Sequence, residues 1–181
     1  MGVNDGKGLS AAILVTSDRA SRREYADRTG PALAAFLMER GWSVVAIQVA
    51  PDEKGAISQI LKAWCDARVA GLVLTAGGTG LGPRDVTPEA TRDILEKDLP
   101  GLPELMRSRG SARTPRAALS RAVAGSCGPC LIVNLPGSPA GSVESLECVL
   151  DLLPHALEML QGGGHEEGPV HGNKERSHDH A

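Results

Sequence analysis

Aromatic side chains are almost missing from this chain: one Phe, one Tyr and two Trp among 181 residues, or 2%. A core must therefore be built from Leu, Val, Ile and Ala, and nucleic-acid modules that stack bases on exposed rings are disfavoured. A surplus of either charge is also lacking. With 19 Lys and Arg against 22 Asp and Glu, the formal net charge is −3, which offers no global basic footprint to a nucleic acid. No apolar run approaches the roughly 20 residues of a membrane span. Residues 1–10 (MGVNDGKGLS) carry neither the apolar stretch of a secretory leader nor, with Gly6 in place of Ser or Thr, a myristoylation signal. The expectation is a cytoplasmic protein without nucleic-acid or membrane partners.

Cysteine is scarce as well, at four residues. Cys127-Gly128-Pro129-Cys130 spells a thioredoxin-type CGPC, but that chemistry needs its first Cys at a helix N-terminus, where the dipole lowers the thiol pKa. Here Cys130 runs into the β-branched stretch Leu131-Ile132-Val133, so Gly128-Pro129 reads as a hairpin turn between two strands. Cys65 and Cys148 supply no second close pair for a zinc site.

What is present suffices for one domain: 41% hydrophobic residues in a length that fits roughly 100–200 residues per domain. Residues 1–8 and 162–181 are rich in Gly, His and charge, cannot offset their ordering entropy, and are expected to be mobile. His165, His171, His178 and His180 there read as a solubilising tail before a loose metal site. Between the ends, strands and helices alternate. Ala11 to Val15 is an apolar run of the kind buried on both faces. A helix follows from Pro31, with Leu33, Phe36 and Leu37 as its stripe and Gly41 past its end. Ser43 to Val49 is the next strand, and Ile57, Ile60, Leu61 and Trp64 mark the next helix. Leu72-Val73-Leu74 is a strand. Thr87-Pro88-Glu89 opens a helix with Thr87 as N-cap. A short helix over Leu102 to Ser108 precedes a strand pair, Ala118 to Ala124 with Cys130 to Leu135. A final helix carries Val143, Leu146, Leu150, Leu153 and Leu157, kinked at Pro154. The pattern predicts an α/β fold of three layers, a mostly parallel sheet with helices on both faces and a strand hairpin near residues 118–135. Ligands of such sheets bind at the strands' carboxyl ends, where Thr16 to Arg19, Pro51 to Glu53, Thr75 to Asp85 and Asn134 to Pro139 all emerge.

Chemistry concentrates in Gly77-Gly78-Thr79-Gly80, whose backbone N–H groups can converge on an anion. It is neither a Walker loop nor a dinucleotide fingerprint. Arg84 and Asp85 follow within the same loop. A carboxylate beside a phosphate cradle repels the ligand unless a cation bridges them, and magnesium takes both kinds of oxygen. On the bland reading Asp85 is a helix-end acid and Arg84 a solvated charge. Asp52 and Glu53 offer a second carboxylate or serve as N-terminal acids of the following helix; the residues alone do not choose. His155, in the last helix, reads as structural.

Residues 70–94, AGLVLTAGGTGLGPRDVTPEATRDI, closely resemble the signature of the molybdopterin-binding Mog/MoaB family, which includes molybdopterin adenylyltransferases and gephyrin domains. Thr16-Ser17-Asp18-Arg19-Ala20-Ser21, Ala50-Pro51-Asp52-Glu53, Leu119-Ser120-Arg121 and Asn134-Leu135-Pro136-Gly137-Ser138-Pro139 match in order, so the resemblance covers about residues 9–161. It implies transfer of AMP from magnesium-ATP to the phosphate of molybdopterin, in the biosynthesis of the molybdenum cofactor. It further implies that Asp52 and Asp85 are the catalytic, Mg2+-holding carboxylates and that Gly77, Gly78, Thr79 and Gly80 bind phosphate and nucleotide. Ser17, Asp18, Arg19, Ser120, Pro136 and Gly137 would line the molybdopterin pocket. Little is expected to hang on Leu81-Gly82, a variable stretch. A homotrimer, and a molybdate-insertion enzyme as partner, come with the resemblance. The alternatives are a non-catalytic molybdopterin-binding or carrier protein and a scaffold; the latter is disfavoured because no second domain or long linker is present.

Overall fold

The computed structural model of the chain describes residues 9–163; the expectations placed on residues 1–8 and on His165, His171, His178 and His180 lie outside the described residues. Six strands, β1 (Ser10–Thr16), β2 (Ser43–Ala50), β3 (Leu72–Ala76), β4 (Lys97–Asp98), β5 (Ala124–Cys127) and β6 (Cys130–Leu135), form one sheet in the order β2-β1-β3-β6-β5-β4. The β2-β1, β1-β3 and β3-β6 pairs are parallel, and β6-β5 and β5-β4 are antiparallel. Seven helices surround it: α1 (Asp18–Ser21), α2 (Thr29–Met38), α3 (Lys54–Asp66), α4 (Thr87–Arg92), α5 (Gly101–Arg113), α6 (Pro139–Glu147) and α7 (Leu153–Leu160). The expected α/β architecture of three layers stands, with four of the six strands parallel.

Two cores follow from the strand period of two. Ile13, Leu72, Leu74, Leu131, Val133 and Leu135 face α2, α5, α6 and α7, while Leu14, Val73 and Ile132 face α3 and α4. α3 contributes Ile57, Leu61 and Cys65 at four-residue spacing. Each fully buried Leu or Ile contributes about 1.5–3 kcal/mol of transfer free energy, which is how a core with hardly any rings holds together.

Several boundaries differ from expectation. The strand expected at Ala118 to Ala124 is instead a 3-10 turn, Pro115–Leu119, followed by β5 from Ala124 onward. The tight turn sets the register: Cys127 pairs with Cys130 and Ala124 with Val133, and the last link upstream is the Asn134 N–H donating to Val123 O, so residues before Val123 leave the sheet. They run instead into the glycine loop, where the Arg121 N–H donates to Thr79 O. α5 continues to Arg113 rather than ending at Ser108 because tertiary contacts hold its polar last turns: Arg109 donates to Cys148 O, and Arg113 lies 3.6 Å from Glu144 and 3.7 Å from Glu147. Thr87 is the first helical residue of α4 and not its cap, which is Val86. The final helix is two helices separated by a 3-10 turn at Leu150–Leu152, with Pro154 in the first turn of α7, where its missing N–H costs nothing. α1 and β4 were not anticipated; four and two residues carry too little period to read.

Cys127 and Cys130 flank the hairpin turn, Gly128 taking φ +54°, and both are buried with Cys65 in the α3-side core. The Cys130 thiol donates to Ala70 O at 3.2 Å. Neither cysteine starts a helix.

Candidate active site

Parallel pairing aligns the ends of β1, β3 and β6: Val15 lies opposite Ala76, and Ala76 opposite Leu135. The segments leaving them, with the one leaving β2, meet at one edge. Their approach is so close that two glycines are obligatory. A Cβ on Gly77 (φ +118°) would sit 2.3 Å from Thr16 O, and one on Gly78 (φ +61°) 2.3 Å from Thr87 Oγ1. The Gly77 N–H is spent on Leu135 O at 3.1 Å. The amides of Gly78, Thr79 and Gly80 have no protein acceptor among the described residues, which leaves three of the four expected donors open.

A fully buried polar network stands behind this loop. Thr16 Oγ1 and Thr87 Oγ1 are 3.1 Å apart, and the Thr91 hydroxyl donates to Thr87 O. Asn134 Nδ2 donates to both Thr75 Oγ1 and Thr91 Oγ1 at 2.9 Å, while Asn134 Oδ1 accepts from the Val123 N–H. No buried side-chain polar atom among the described residues lacks a partner. A satisfied network in a low-dielectric interior is stiff, so α4 and the Asp85 loop preceding it are held against the sheet.

The carboxylates form a second network. The Asp18 N–H donates to Asp52 Oδ2 at 2.8 Å and the Asp52 N–H donates to Asp18 Oδ1 at 3.0 Å. Arg84 grips both Asp18 oxygens at 2.9 Å, and this hydrogen bonding holds the Asp18 carboxyl below the usual range. Burial raises the Asp52 carboxyl above it; the Asp18 N–H opposes that shift, and the charges of Asp18 and Asp85 add to it. Asp85 Oδ2 accepts from the Gly82 N–H at 2.7 Å. A Cβ on either Gly80 or Gly82 would come within 2.8 Å of that oxygen. Gly82 is therefore part of the site's construction, against the expectation that little hangs on it.

Two cavities open on either side of the glycine loop. The smaller, about 330 Å³, is lined by Ser17, Asp52, Asp85, Gly77, Gly78 and Gly137, together with Tyr25, Asp27, Arg28 and Thr29. The larger, about 660 Å³, is lined by Thr79, Gly80, Ser120 and Pro136, by Arg109, Arg113 and Arg116, and by Glu144 and Glu147, which pair with Arg113. The candidate residues thus divide between two chambers. Asp18 lines neither and stands behind Asp52. Arg19 turns outward, its side chain 71% exposed over the Tyr25 ring. His155 is also exposed, 3.7 Å from Glu158, and far from a core role.

Sequence reasoning marks the α2 entry only as a run that resembles the adenylyltransferase branch of the family, and assigns neither it nor the arginines of α5 to the site. Asp27-Arg28-Thr29-Gly30-Pro31 carries a helix-start signature, and Asp27 indeed accepts from the Thr29 and Gly30 N–H groups. Thr29 Oγ1 donates to Gly137 O, which ties that helix start to the β6 turn. Arg109 and Arg113 share a helix face by their four-residue spacing, a legible signal, but only the fold turns that face toward Ser120.

A domain-family model described as "Probable molybdopterin binding domain" matches residues 12–155. The molybdopterin adenylyltransferase of Helicobacter pylori (strain J99) is 40% identical over 156 residues, covering 85% of this chain and 89% of that protein. The Drosophila melanogaster molybdenum cofactor synthesis protein cinnamon is 39% identical over 155 residues, 85% of this chain but 26% of its own length. The solved structure of the molybdopterin biosynthesis enzyme MoaB from Thermus thermophilus matches with a TM-score of 0.80 and 50% identity over 85% of this chain and 97% of that one. This chain belongs to the molybdopterin-binding domain family.

Proposed function

We propose that the chain is a molybdopterin adenylyltransferase, transferring AMP from magnesium-ATP to the phosphate of molybdopterin. The observation that carries this reading is the meeting of two unlike chambers along one loop of open amides: one with Asp52 and Asp85 for magnesium-ATP, and one for the anionic pterin in which three arginines outnumber two glutamates. Relatives named molybdopterin adenylyltransferase, matched over most of their length, support it.

Asp52 and Asp85 offer hard oxygen donors to the same cavity, and no group of three or more His, Cys, Asp or Glu forms a protein cage among the described residues. One or two carboxylates plus substrate phosphates is the donor set that suits magnesium. Held there with the nucleotide, magnesium would offset the charge that separates two anions. The chain's own part is placement. The Gly78, Thr79 and Gly80 amides donate to phosphate oxygens, and Ser120 with the arginines of α5 holds the pterin on the far side of the loop. A phosphate oxygen of molybdopterin attacks the α-phosphorus of ATP. The new P–O bond forms as the bond to the β-phosphate bridging oxygen breaks, and pyrophosphate leaves. The attacking oxygen is already ionised near neutral pH, so no strong general base is needed. Incubating the protein with magnesium-ATP and molybdopterin should yield adenylyl-molybdopterin and pyrophosphate; binding of molybdopterin without either product would leave a carrier instead.

Further expectations attach to this reading. The homotrimer draws support from Val45 and Ile47, 51% and 46% exposed on the edge strand β2; sedimentation should give three times the chain mass. Cys127→Ser with Cys130→Ser should keep AMP transfer in reducing buffer while losing about 1–3 kcal/mol of stability, because two buried hydroxyls replace thiols. Loss of transfer in a folded double variant would restore a chemical role to the pair.

The raised Asp52 carboxyl also sets a pH dependence. Without metal, the folded protein holds this proton to higher pH than the unfolded chain does, so the contribution falls as pH rises through the folded value. Asp52→Asn can still accept the Asp18 N–H. It should therefore make the metal-free protein more stable than wild type at neutral pH, a difference that shrinks on acidification, while transfer is lost. Urea titrations at two pH values check the sign.

A further inference from the structure

Arg121 lies where the glycine loop, the Asp85 loop and α4 meet, and it lines neither cavity. Its Nε donates to Gly80 O at 2.6 Å and its Nη2 to Asp85 O at 2.6 Å, while Nη1 is bonded to the Glu89 carboxylate. Its own N–H donates to Thr79 O at 2.9 Å. One residue thus joins the glycine loop, the Asp85 loop and α4, and its side chain is 31% exposed. Both carbonyls it grips belong to residues that line the cavities: Gly80 the larger and Asp85 the smaller. Only a planar fork with five N–H donors can serve three acceptors set at such angles.

Resting on the proposed reaction, we propose that Arg121 is a positioning residue: it fixes the distance between the phosphate-cradling amides and the Asp85 carboxylate, and so sets the rate of AMP transfer without touching substrate. Asp85 is anchored from the opposite side by its neighbour Arg84, which is locked on Asp18. Releasing the Arg121 side frees the loop to shift, and misplacement of about 1 Å can cost a hundredfold in rate.

The test compares wild type with Arg121→Lys, Arg121→Ala and Glu89→Gln. Arg121→Lys keeps the charge but reaches fewer acceptors, so kcat should fall about 10–100-fold, with KM for magnesium-ATP and for molybdopterin changing less than about threefold. Glu89→Gln, which leaves both carbonyl contacts intact, should lose under about fivefold. Added guanidinium ion should restore part of the kcat of Arg121→Ala, an effect a general loss of stability does not produce. Hydrogen exchange of the unliganded proteins supplies a readout independent of the reaction: peptides covering residues 77–86 should exchange faster in Arg121→Lys while those covering β6 stay unchanged. If wild type transfers no AMP, the functional reading falls and the exchange result still decides the clamp. Wild-type kcat in Arg121→Lys, a loss confined to KM, or unchanged exchange over residues 77–86 overturns the assignment.

Discussion

Asp85→Asn should fold, bind molybdopterin and fail to adenylylate it. The substitution keeps an oxygen that accepts the Gly82 N–H, at present a 2.7 Å bond to Asp85 Oδ2, so the loop retains its shape and the stability cost stays under about 1 kcal/mol. What disappears is the negative charge facing the smaller cavity beside Asp52. Without it, the barrier to bringing two phosphates together should rise by roughly 3 kcal/mol or more, a rate loss of at least about a hundredfold. Molybdopterin binding should survive, because its chamber is lined by Ser120, Pro136 and the α5 arginines and not by Asp85. Single-turnover assays with excess magnesium and ATP, alongside a direct binding titration, separate the two effects. Full turnover in this variant would refute the catalytic assignment and leave Asp85 as a helix-end acid.

Gly77→Ala should be the most destabilising single-methyl change at the site. Its φ of +118° is strained for any residue with a Cβ, at a cost of about 1–3 kcal/mol. The added carbon would also lie 2.3 Å from Thr16 O, a backbone atom at the end of the central strand β1 that cannot move without opening the sheet. Together these should cost about 3 kcal/mol or more, lowering Tm by roughly 6–12 °C for a domain of this size. Gly128→Ala is the control: φ is +54°, but no atom lies within 4 Å of the new carbon, so only the backbone term of about 1 kcal/mol applies. Equal losses in the two variants, measured by urea unfolding, would show that the packing of Gly77 on β1 contributes nothing.

The amino-acid sequence by itself determined the alternation of strands and helices, the apolar runs of β1, β3 and β6, and the stripe of α3. Those signals are local, since burial on one or both faces repeats at a period of two or 3.6. It also determined that Gly77 to Gly80, Asp85 and Asn134 to Pro139 gather at one edge, because they follow strand ends, and parallel strands must deliver their loops to one edge. The family was legible in the same stretches.

Only the tertiary structure decided how those residues divide the work. That the Gly77 amide belongs to the sheet and not to the cradle depends on Leu135, which is 58 positions away in the chain but adjacent in space. That Gly82 takes part in the site depends on where the Asp85 carboxylate folds back to accept its N–H. Arg19 and Arg121 are both arginines in matching motifs, yet one points to solvent and the other pins three segments, because Arg121 alone emerges beneath the glycine loop. The second chamber required α5 to run to Arg113, and that extension rests on contacts with Cys148, Glu144 and Glu147 rather than on any hydrophobic period of its own. Periodicity is a property of neighbours along the chain. A site is a property of neighbours in space, and here the close approach of β1, β3 and β6 chose them.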